Sequence, residues 1–94
     1  MRDHRKLETI DLAHRLVLAV YRASRGFPHD EKFGLTAQLR RCAVSVPANV
    51  VEGCSRQSER EYIRYLEIAF GSVREMGYYL ALARDLGYLN EDEW

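Results

Sequence analysis

The sequence predicts an all-α protein: an up-down antiparallel helical bundle of three helices and the start of a fourth, forming a single domain over residues 1–94. Three observations predict it. Apolar residues recur three and four apart through three long segments, as one helix face requires. Gly-Phe-Pro and Ser-x-x-Glu patterns punctuate that period, so the helices are joined by short turns and run antiparallel. The third segment keeps a heptad seam, the pattern of a helix lying along others.

The first helix is expected over Arg5–Ser24, with Leu7, Ile10, Ala13, Val17 and Val20 on one face. Leu12, Leu16, Ala19 and Ala23 form an adjacent stripe. Arg25-Gly26-Phe27-Pro28 ends it, glycine serving as a C-terminal cap and proline being unable to continue. The second helix begins near Asp30 or a turn later and runs to about Gly53, burying Leu35, Leu39, Cys42, Val46 and Val50. Pro47 removes a backbone hydrogen bond and presses on the carbonyl of Ala43. The apolar period passes through it unbroken, which predicts one kinked, continuous helix with Ser45 placed to serve the freed carbonyl. Small residues around it (Ser45, Ala48, Asn49) leave room for a close neighbour.

Ser58-Glu59-Arg60-Glu61 reads as a capping box opening the third helix. That helix is expected over Glu59–Leu86, about 40 Å long, with Gly87 as its stop. Tyr62, Leu66, Ala69, Val73, Met76, Leu80 and Ala83 form the heptad seam, which faces the chain's own core. A second stripe runs Tyr65, Ile68, Ser72, Tyr79, Leu82, Leu86, and a third Ile63, Phe70, Gly77. This is more apolar surface than so short a chain covers, which predicts assembly with other copies. Asn90-Glu91-Asp92-Glu93 repeats the capping-box pattern, so the chain is expected to be cut before or within a fourth helix.

A chain of 94 residues has a thin core, since its size class buries only about 60–65% of its unfolded surface. Disulfides and metals are the other usual remedies. Cys42 and Cys54, if on one helix, lie roughly 18 Å apart, beyond the reach of a bridge. Reduced cysteines, no signal peptide and no membrane-length apolar run point to the cytoplasm. His4, His14 and His29 do not share metal-ligand spacings with the cysteines. No motif for a cofactor, a small-molecule substrate or a nucleophile is present. His14 is expected to be partly buried or at an interface, and no group is placed to make it a general base. The chain is expected not to be an enzyme.

The formal net charge is zero. Yet residues 1–64 carry an excess of four positive charges and residues 65–94 the matching excess of negative ones, an asymmetry that can steer a partner. Arg40 and Arg41 are expected on the exposed side of the second helix. Arg56, Arg60 and Arg64 recur every fourth residue through the turn, interleaved with Tyr62 and Tyr65. Guanidinium matches phosphate and tyrosine stacks on bases, so these five arginines are the candidate nucleic-acid contacts. Ion pairing with Glu52, Glu59, Glu61 and Glu67 is the competing use of the same charges.

Phe27 to Leu35 (Phe-Pro-His-Asp-Glu-Lys-Phe-Gly-Leu) and Gln38 to Gly53, including Arg41 and the run Ser45-Val-Pro47-Ala-Asn49-Val-Val-Glu52-Gly53, form a distinctive signature. It resembles that of the four-helix-bundle proteins encoded in intervening sequences of bacterial 23S ribosomal RNA genes. Tyr62 to Leu66, Ala69 to Ser72, Glu75 and Leu86 to Leu89 fit as well. The resemblance implies an up-down four-helix bundle, assembly into homopentamers and no catalysis. It marks Phe27, Pro28, Gln38, Arg41, Ser45, Pro47, Asn49, Glu52 and Gly53 as structural signature positions. A related branch, the accessory protein of diversity-generating retroelements, binds a reverse transcriptase and nucleic acid through a basic surface. RNA, or a reverse-transcriptase-like protein bound to nucleic acid, is therefore the expected partner. A purely structural or protein-recruiting oligomer is the alternative.

Overall fold

A computed structural model describes residues 4–90 of the chain. Three helices, α1 (His4–Ser24), α2 (Leu35–Cys54) and α3 (Glu59–Asp85), run up, down and up. They make a rod of 44 × 20 × 18 Å, its long axis matching the length of α3. The capping-box pattern after Leu89 runs into residues 91–94, so the expected start of a fourth helix lies outside the described residues. No described helix is long and apolar enough to cross a membrane.

The three helix boundaries fall within one or two residues of those expected, except at the start of α2. There a separate 3-10 turn, His29–Glu31, precedes it. The Glu31 carboxylate reaches forward to accept from Leu35 N at 3.0 Å, filling one of the orphan donors of the helix start. Gly26, expected as the cap of α1, does not adopt the left-handed conformation; among the described residues only Gly87 does, at φ 82°. Gly87 closes α3 as a Schellman cap, with Tyr88 N donating to Ala83 O at 2.8 Å and Gly87 N to Arg84 O at 2.9 Å. α1 ends instead through the turn bonds Arg25 N to Arg22 O and Phe27 N to Ser24 O. Ser58 caps α3 by accepting from Glu61 N at 3.1 Å, which is the forward half of the expected capping box.

Pro47 lies inside α2 and the helix runs through it. Ser45 does not turn to the Ala43 carbonyl. Its hydroxyl bonds Ser72 of α3 at 2.8 Å, and Asn49 Nδ2 donates to both the carbonyl and the hydroxyl of Ser45. The small residues around Pro47 thus form a polar seam with α3.

Helix α2, not the longer α3, is the central element. It lies against both neighbours, while the backbones of α1 and α3 do not approach one another. Its expected stripe of Leu35, Leu39, Cys42, Val46 and Val50 is buried throughout, as is Ala43 beside it. The α3 seam is buried or half-buried along its whole length, Ala69, Met76 and Ala83 most deeply. The core divides in two. One cluster gathers Val20, Phe27, Leu35, Leu39, Met76 and Leu89, and a smaller one gathers Ala13, Val46, Val50 and Ala69. The Phe27 and Tyr88 rings pack against each other, tilted by 48° with centroids 5.6 Å apart, and Tyr88 Oη donates to the second Glu31 oxygen at 2.9 Å. The residues after α3 therefore fold back over the α1–α2 corner. The third line of α3 is left open: Ile63 is 47% and Phe70 68% exposed. Cys42 and Cys54 are both free, as their separation requires.

Candidate nucleic-acid interface

The basic residues of the α2–α3 turn lie at the end of the rod where α1 begins. Gly53 sets the geometry. A β-carbon there would sit 2.9 Å from Tyr65 Cβ and 3.3 Å from Tyr62, closer than atoms approach without displacement, so only glycine lets α3 come this near. The two tyrosines are thereby held against the turn. Arg56 bridges to Glu52 at 2.7 Å and to Tyr65 Oη at 2.8 Å, with its guanidinium 4.9 Å from the Tyr65 ring centre. Arg64 stands 5.9 Å from the same ring.

Two cations from the start of α1 join this end. Lys6 Nζ lies 4.3 Å over the Tyr62 ring. A cleft of about 510 Å³ separates Arg5, Lys6 and Thr9 from Arg56, Gln57, Ser58, Glu59 and Tyr62. Along α3 a second, open hollow of about 720 Å³ includes Arg60 and Arg64 with Glu59, Glu61 and Glu67. Arg60 and Arg64 form no ion pair among the described residues. Their guanidiniums are available to an anion, although the neighbouring carboxylates weaken the local field. Sequence pattern alone did not reveal Arg5 and Lys6, because roughly fifty residues separate them from the turn they join; the charged, periodic N-terminus was the only signal.

The arrangement differs from the sequence expectation in two respects. Arg40 is not on an open face. It is half-buried, donating to Ser24 Oγ at 2.8 Å and to Tyr21 O at 3.4 Å, with its guanidinium 4.5 Å from the Tyr21 ring. It ties α2 to the end of α1. Arg41 is exposed, but about 22 Å along α2 from Arg56 at 1.5 Å per residue. The five arginines therefore do not form one surface. The tyrosines also do not stand open for stacking: both are half-buried, and Lys6 and Arg56 occupy ring faces. What the end offers is charge for phosphate rather than free aromatic platforms for bases.

His14, expected to be partly buried or at an interface, is exposed on the single chain, as is His29. Among the described residues no group of three or more His, Cys, Asp or Glu side chains could hold a metal ion. Burial, and then the nearby Glu75 carboxylate, push the Cys42 thiol up. The thiol donates to Ser72 O at 2.9 Å, so it serves α2–α3 contact and not nucleophilic chemistry.

Residues 5–94 match the family described as 23S rRNA-intervening sequence protein. The chain belongs to that family. No match was found among curated proteins. In this 23S rRNA-intervening sequence protein the signature residues mostly hold the fold. Phe27 is buried against Tyr88, and Pro28 precedes the 3-10 turn. Ser45, Asn49 and Gly53 make the close α2–α3 contact around Pro47, and Glu52 anchors Arg56. Gln38 and Arg41 are exposed on α2, so the fold itself does not account for their side chains.

Proposed function

We propose that this 23S rRNA-intervening sequence protein is a non-enzymatic scaffold subunit of the cytoplasm that self-associates and binds structured RNA through the basic end of its bundle. The observation that carries the RNA reading is the convergence of Arg5 and Lys6 with Arg56, Arg60 and Arg64 around one cleft and the adjoining face of α3. Cations from the start of α1 and from the α2–α3 turn meet there, and guanidinium groups match phosphate oxygens. Self-association is supported by the apolar side chains that the bundle leaves exposed, among them Leu12, Phe70 and Tyr78. Five copies is the number that the family resemblance implies.

Binding to a ribosomal RNA hairpin, followed against salt, tests the RNA reading. Phosphate contact makes affinity fall steeply with salt, and each arginine removed from the contact lowers the log–log slope by about one. Arg60→Ala and Arg64→Ala together are expected to lower it by about two, while Arg41→Ala leaves it unchanged. Salt-independent binding, or an unaltered slope in the double variant, would remove the proposal.

A second reading follows from the carboxylates. Glu59, Glu61 and Glu67 interleave with Arg60 and Arg64, a mixed pattern that also suits a protein partner, including one that itself carries nucleic acid. Reversing Arg60 and Arg64 to Glu would then abolish recruitment of that protein while leaving RNA affinity at its wild-type value.

A further inference from the structure

The cleft between α1 and the α2–α3 turn has one fixed wall and one loose wall. On the turn side, Gly53 holds Tyr62 and Tyr65 close and Ser58 caps α3. Arg56 is pinned there by Glu52 at 2.7 Å and by Tyr65 Oη at 2.8 Å. The α1 side is anchored differently. From His4 to Thr9 no side chain is buried, and only Lys6 is half-buried. Leu7, the one large apolar residue of that stretch, is 47% exposed. Ile10 is the first residue of α1 to pack on a core cluster. Before it, the described contact with α3 is Lys6, whose Nζ lies 4.3 Å over the Tyr62 ring.

The charges of this stretch work against its seated, helical state. The first turn of α1 has no acidic residue, and His4, Arg5 and Lys6 open the helix. Cations at a helix N-terminus oppose the helix dipole. Helix α3 shows the favourable arrangement, with Glu59 and Glu61 in its first turn. Arg5 and Lys6 also line the same cleft as Arg56, so seating α1 gathers like charges. An anion in the cleft reverses both effects.

We propose that seating of the first two turns of α1 is coupled to RNA binding: phosphate groups in the cleft join the α1 wall to the turn, and the cleft closes on them. The inference rests on the RNA reading and adds a moving part to it. Arg5 and Lys6 supply contacts, and Tyr62 is a positioning residue that acts through Lys6. A ligand that prefers the seated state shifts the equilibrium toward it. The seated fraction in turn sets part of the affinity.

Hydrogen exchange of the full chain, with and without the ribosomal RNA hairpin, reads the coupling. In a regular helix the amides of residues 8–11 donate to the carbonyls of residues 4–7, so they report the first two turns. With the hairpin at about ten times Kd they are expected to exchange about tenfold more slowly. The amides of residues 72–76 in α3 are expected to keep their rates. Two variants separate seating from contact. Leu7→Gly removes no charge and weakens the helix of the stretch. Tyr62→Leu removes the ring under Lys6 and keeps every cation. Each is expected to weaken hairpin binding by about two- to fivefold. The log–log salt slope stays unchanged, because the bound state contacts the same number of phosphates. Salt-dependent binding with unaltered exchange at residues 8–11 would overturn the coupling and leave the RNA reading standing. Equal slowing in α1 and α3, or wild-type affinity in both variants, would do the same. Absence of salt-dependent binding would overturn the RNA reading and the coupling with it.

Discussion

Gly53 and Gly71 are both helical glycines, and the structure assigns them opposite responses to the same change. Alanine at 53 drives a methyl group into Tyr65 and Tyr62, and a destabilisation of about 1–3 kcal/mol is expected on chemical denaturation. Alanine at 71 meets nothing within the chain, and its monomer is expected to gain about 0.5–1 kcal/mol. Tyr79 and Tyr88 supply a pH prediction. Tyr79 donates to Glu75 at 2.7 Å and Tyr88 to Glu31 at 2.9 Å. These bonds, and then desolvation, raise both phenols above their ordinary value. A raised folded pKa means that the stabilisation is fully present below the unfolded phenol value of about 10 and is lost as pH rises through the folded one. Thermal stability should therefore fall above about pH 10, and the Tyr79→Phe/Tyr88→Phe pair should flatten that limb. An equally steep limb in the double variant would assign the loss to other groups.

At the scale of elements, the buried stripes of α2 and α3 were legible because they depend on neighbours in sequence, whereas on α1 the expected face lost Leu7, which is exposed, and Gly26 is not the cap. The stripe Leu35, Leu39, Cys42, Val46, Val50 and the α3 seam follow from a period of three and four, and both are buried as expected. Position across elements was not. Arg40 looks like an exposed cation until its partner Ser24, sixteen residues back in α1, is beside it. Lys6 joins the α2–α3 turn only because α1 lies against α2. Side chains that reach between helices are set by bundle geometry, which periodicity does not encode. Glu31 belongs to this class as well: it starts α2 by accepting from Leu35 N and holds Tyr88 with its other oxygen. Glu31→Ala should remove both bonds and cost about 1–2 kcal/mol. Glu31→Gln should recover part of it, since an amide oxygen still accepts. Denaturant midpoints of the two variants would check the order.

For the whole molecule, the central place of α2 predicts uneven stability. α2 and α3 share the close contact at Gly53, the Ser45–Ser72 bond and the Cys42–Ser72 bond. α1 brings its backbone close to α2 alone, touching α3 only through side chains such as Lys6 over Tyr62, with Arg40 as its polar tie to α2. Hydrogen exchange should therefore release the amides of α1 at a lower opening free energy than those of α2 and α3. Equal protection in all three helices would mean that the bundle opens only as one unit. The candidate RNA surface depends on this ordering, because Arg5 and Lys6 stand with Arg56 only while α1 is docked.

The bond between Tyr88 and Glu31 spans 57 residues, against 30 for the longest-range of the other side-chain hydrogen bonds described. A chain made from its N-terminus can form α1, turn the corner and lay down α2 while Tyr88 is still unmade. Through that interval one Glu31 oxygen has no phenol to accept from, and Phe27 lacks the Tyr88 ring that packs against it. The corner of the bundle is thus sealed only after α1 and α2 have been made, and the loop it closes is the most entropically costly of those bonds.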